Sequence, residues 1–93
     1  MINKNIINIR KKLDKLDDKF LNLVKKRTNL VNQVLINKKF KKDIVDKNRI
    51  RKILTNIKKK KLKKGIDTKI TKDIWSSIIK AYINHEYRNF KKK

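Results

Sequence analysis

Apolar residues fall at Ile9, Leu13, Leu16, Phe20, Leu23, Leu30 and Val34, in steps of four and three. Such steps make one stripe on a helix, and no Pro or Gly interrupts the run from Ile6 to Val34. The pattern predicts a single long helix from about residue 4 to about residue 39. A helix of that length presents a wide apolar face, which two short later helices can cover only in part. Pairing with the same helix of a second chain is the simplest way to bury it. One seat on the stripe, between Leu23 and Leu30, holds Arg27.

The later pattern predicts two more helices. A connector around Lys41 to Val45 leads to Asp46, a residue type suited to an N-cap, and then to a helix with Ile50, Ile53, Leu54 and Ile57 on one face. Gly65, the only glycine, falls where a left-handed C-terminal cap is wanted. Asp67 or Thr68 can cap a third helix through Ile70, Ile74, Trp75, Ile78, Ile79, Tyr82, Ile83 and Phe90, ahead of a lysine tail. No sustained alternation of period two competes with this. The predicted fold is all-α, one domain over residues 1–93, with one long and two shorter helices in an intertwined homodimer. A plain coiled coil is the simpler alternative, disfavoured by the two further amphipathic segments.

Composition narrows the chemistry. A chain of 93 residues has little surplus stability from its own core, which again favours a partner subunit. There is no cysteine, which excludes disulfides and thiolate metal sites, and the single His85 cannot build a zinc site with so few acids; no metal or cofactor is expected. No apolar run is long enough to cross a bilayer, and the start lacks the features of a secretory signal, so a cytoplasmic protein is expected. Thirty Lys and Arg against eight Asp and Glu give a formal charge of +22. That charge alone points to nucleic acid. The abundance of Lys, Asn and Ile, whose codons are AT-rich, accounts for much of it as drift on solvated faces.

Against a background of lysine, the five arginines stand out, because a guanidinium is a planar fork matched to carboxylates. An unpaired cation on a buried seam costs several kcal/mol on the order given for buried ions. Arg27 must therefore reach water, meet a protein acid or meet an anionic ligand. Lys38, three turns or ~16 Å further along the predicted helix, lies on the same face. Arg49 can approach from the start of the second helix, and Arg10, a quarter turn away, is better placed to reach a site on another chain. Four cations with few acids among them suit a small dicarboxylate.

These residues resemble a known family, the all-helical chorismate mutases. The stretch "IRKKLDKLDDKFLNLVKKRTNLVNQV" is similar to the family's opening helix, an arginine, an aliphatic and Asp rhythm, and a second arginine followed by Leu and Val. "DKNRIRKIL" is similar to its Asp-x-x-Arg-Glu segment, and "GIDTKITKDIWSSIIKAYINHE" to its closing helix. The resemblance implies an intertwined homodimer with two shared sites. In each site Arg10 of one chain and Arg27 of the other would hold the two substrate carboxylates. Lys38 would touch the ether oxygen and a carboxylate, Asp46 and Arg49 would shape the mouth, and Glu86 would stand opposite the ether oxygen. The implied reaction, chorismate to prephenate, is unimolecular and needs no nucleophile or metal; orientation and cations aimed at the ether oxygen suffice.

Three positions depart from the family pattern. Glu86 stands where many members have Gln, and an ionised carboxylate would repel the developing oxyanion, so this role requires its protonated form. Ile50 replaces a Glu that binds the ring hydroxyl, and Tyr82 replaces a small residue. The last two bring the chain closer to the related isochorismate-pyruvate lyases, the alternative enzyme. His85, about 100° around the helix from Glu86, is expected to be exposed. Trp75 and Phe90 read as packing residues, and the run Lys58 to Lys64 as the solvated end of the second helix. The non-enzyme alternative is a basic helical dimer that binds nucleic acid, disfavoured because its most unusual cation, Arg27, sits on the apolar seam.

Overall fold

The computed structural model describes residues 3–91, which include the first residue of the lysine tail but not Lys92 and Lys93. Its elements are α1 (Lys4–Ile36), a 3-10 turn (Lys41–Asp43), α2 (Lys47–Lys64) and α3 (Thr68–Asn89). Three helices, one long and two shorter, are what the periodicity predicts, and no strand occurs among the described residues. By contacts the chain divides into two units, Met1–Val31 and Asn32–Lys93.

Among its described residues, the first unit holds only α1, from Lys4 onward, and the residue that caps it. Its start is capped by Asn3, whose Oδ1 accepts from the backbone N–H of Ile6 at 2.9 Å. The stripe is present but open to solvent. Ile9, Leu13, Leu16, Phe20, Leu23 and Leu30 are each between 52% and 61% exposed. Beside them Arg27 is half-buried and Arg10 exposed.

The second unit folds on itself. Here α1 ends at Ile36, not near residue 39, because the chain tightens into i to i+3 bonds: Asn37 N–H donates to Val34 O and Lys38 N–H to Leu35 O, both at 3.0 Å. The Asn37 side-chain amide donates to Gln33 O at 2.8 Å and satisfies one of the last carbonyls. This end needs neither Gly nor Pro. It also removes Lys38 from the helical face on which the sequence placed it.

The other caps follow the local sequence. Asp46 accepts from Arg49 N–H and Asp67 from Ile70 N–H, each at 3.0 Å, so both helices start where an Asx side chain can replace a missing acceptor. Gly65 has φ +65°, and the following Ile66 N–H donates to Lys61 O at 3.1 Å, the bond of a Schellman end. The two later helices pack against each other. Buried residues of this unit are Leu35, Ile44, Thr71 and Glu86, with Ile44 only 2% exposed. Trp75 and Phe90 are half-buried, while Leu62, within the lysine run of α2, is 73% exposed.

Candidate active site

Glu86 is a charged-type side chain at 7% exposure on α3, so a partner is required. Lys38 supplies it. Its Nζ lies 3.0 Å from Glu86 Oε1 and also donates to the backbone carbonyl of Ile44 at 3.3 Å. The early end of α1 makes this possible, since Lys38 belongs to the connector rather than to the helix. The ammonium thereby ties together the start of the connector, its most buried residue and the last helix. A protein acid does meet one of the four cations picked out in the sequence.

On the same unit, Asn37, Lys38, Phe40, Lys42, Val45 and Asp46 line an open depression of about 730 Å³. The 3-10 turn shapes its wall, held by Phe40 N–H donating to Asp43 Oδ2 at 3.3 Å. Asp46 and Arg49 are brought together through the helix cap, where the Asp46 carboxylate meets the Arg49 backbone; both are exposed. Ile50 and Tyr82 are half-buried on α2 and α3. Arg10 and Arg27 belong to the first unit, on α1.

His85 corrects an expectation. It is half-buried rather than exposed, with Nε2 at 2.7 Å from Asn32 Oδ1, near the end of α1. Asn89, one turn further along α3, donates from Nδ2 to His85 O at 2.8 Å and faces His85 Nδ1 at 3.3 Å. A polar residue at a single helix position says little about its surroundings. The i, i+4 spacing of His85 and Asn89 was the only signal available.

The pattern of the chorismate mutase type II family matches residues 9–87. The chain belongs to the chorismate mutase type II family. The match covers α2 and most of α1 and α3, and takes in Arg10, Arg27, Lys38, Asp46, Arg49, Ile50, Tyr82 and Glu86. No curated protein and no solved structure matches the chain at a significant level. Within the matched residues lies the Lys38 and Glu86 pair, 3.0 Å apart. No group of His, Asp and Glu with metal-binding spacing occurs among the described residues, and no described helix is long and apolar enough to cross a membrane.

Proposed function

We propose that this protein is a cytoplasmic chorismate mutase that rearranges chorismate to prephenate. The observation that carries the reading is the Lys38 and Glu86 pair inside a chain of this family. In the rearrangement a carbon-oxygen bond breaks as a carbon-carbon bond forms, and negative charge gathers on the ether oxygen. With substrate bound, Lys38 turns from Glu86 to that oxygen and stabilises the charge, and Glu86, which must take up a proton for this role, donates to the same atom. Arg27 and Arg10 hold the two carboxylates and keep the ligand in its reactive chair. Asp46 and Arg49 shape the mouth, while Ile50 and Tyr82 line the ring.

The functional unit in this reading is an intertwined homodimer in which residues 1–93 of each chain form one domain. The open stripe of α1 supports it, since covering a half-exposed Leu, Ile or Phe contributes on the order of 1 kcal/mol. In such a dimer Arg10 completes the site of the partner chain. No cofactor takes part, and nucleic acid is not the partner.

Ile50 and Tyr82 favour a second reading, an isochorismate-pyruvate lyase that releases salicylate and pyruvate. A parallel assay with chorismate and isochorismate, resolving prephenate from salicylate, decides between them. Prephenate as the faster product is expected; faster salicylate formation would promote the lyase and make Ile50 and Tyr82 its specificity determinants. The mutase role of Glu86 has its own check: Glu86→Gln, which keeps a hydrogen-bond donor, should retain turnover, and Glu86→Ala should lower kcat. An unchanged kcat in Glu86→Ala would count against that role.

A further inference from the structure

His85 makes more contacts than its place beside Glu86 requires. Its ring lies edge-on to Tyr82 with centroids 6.2 Å apart and planes at 80°, and its two nitrogens face Asn32 and Asn89. These contacts fix where the proton sits. Because a backbone carbonyl only accepts, the 2.8 Å contact with His85 O makes the Asn89 atom there an NH2 group. The same NH2 faces Nδ1 at 3.3 Å, so Nδ1 must be the bare, accepting nitrogen. The proton is then on Nε2, which donates to Asn32 Oδ1 at 2.7 Å.

We propose that His85 is a positioning residue: oriented by Asn89, its neutral imidazole clamps Asn32 at the end of α1 and holds the register in which Lys38 meets Glu86. Glu86 is the next residue on α3, and Lys38 follows Asn32 after the final turn of α1 and its exit. The two long-range contacts, 2.7 Å and 3.0 Å, therefore join the same two stretches of chain at adjacent points. A lysine on a flexible stem has many rotamers, and on its own would hold this register poorly. The short bond of a planar ring to an amide supplies the stiffness. The edge-on contact with Tyr82 extends the same support to a residue proposed to line the ring.

The inference rests on the reading of Lys38 and Glu86 as the reacting pair, and its test keeps the two separable. His85 is the only histidine, so its two-bond proton-nitrogen NMR correlations are unambiguous. The Nε2–H tautomer is expected in the neutral ring, and an Nδ1–H tautomer would overturn the proposal. Next, the coupling between Lys38→Met and Glu86→Gln is measured by a double-mutant cycle in denaturant unfolding, in wild-type and His85→Leu backgrounds. The coupling, read as a ratio of unfolding constants, is expected to fall at least about threefold in the Leu background; an unchanged ratio would overturn the clamp. Asn32→Leu gives the same readout should His85→Leu fail to fold. In turnover, His85→Leu should lower kcat about tenfold with little change in KM, and His85→Gln, which keeps a donor near Nε2, should recover most of it. An active enzyme whose kcat ignores His85→Leu also overturns the proposal. If the wild-type protein turns over neither substrate, the functional reading falls, and the tautomer and the coupling still decide the clamp.

Discussion

The two units of this chain use their residues in opposite ways. In Met1–Val31 a regular apolar stripe lies open to solvent, with Phe20 52% and Leu23 61% exposed. In Asn32–Lys93 few described residues are buried, yet one of them is Glu86, held by Lys38. The first unit has apolar surface and no core of its own; the second has a polar pair that ties its segments together. A lone helix gains most of its stability from packing an amphipathic face, so the open stripe of the first unit is what supports the proposed dimer. The second unit holds its polar geometry within one chain.

The comparison is broken most severely at the stripe. Phe20→Asp should leave the second unit's contacts untouched but dissociate the proposed dimer, and on that reading activity falls by roughly a hundredfold or more. Sedimentation against turnover checks this, and a fully active monomer would remove the reason for the open stripe. Arg27→Ala, on the same helix, should keep the dimer while reducing kcat/KM by about two to three orders of magnitude, the scale of losing one charge-stabilising donor. Weakened polynucleotide binding with unchanged turnover would instead favour the nucleic-acid reading. Raised stability with no functional loss would point to a scaffold.

In stability, changes to the second unit should be modest. Lys38→Met leaves Glu86 beside an apolar chain and should lower stability by about 2 kcal/mol, seen as a reduced denaturant midpoint. Gly65→Ala should cost about 1 kcal/mol. The Cβ meets nothing within 4 Å, so that cost comes from the left-handed backbone alone. Asp67→Ala, which removes the cap of α3, should cost about the same or slightly less. Unfolding curves for these last two calibrate how much of the second unit rests on local signals. An unchanged midpoint for both would mean that packing outweighs the caps.

Much of the fold was legible because its causes are local. The stripe from Ile9 to Val34, the caps at Asp46 and Asp67 and the stop at Gly65 each follow from residues within a turn or so of one another. The family was legible too, since the motifs around Arg10, Arg27 and Arg49 stand in recognisable order. For the candidate site the sequence offered residues but no arrangement. Periodicity extends α1 through Lys38 because nothing in the sequence breaks a helix there. It leaves His85 exposed because the angle between neighbouring side chains cannot say what lies opposite either of them.

The sequence by itself therefore determined the helices, their caps and the apolar stripe, since hydrogen bonding and hydrophobic period act over a few residues. Tertiary structure decided where α1 stops, which acid Lys38 meets and that His85 turns toward Asn32. Those contacts join positions 48 and 53 residues apart, and only a folded backbone brings such distant polar atoms within bonding distance.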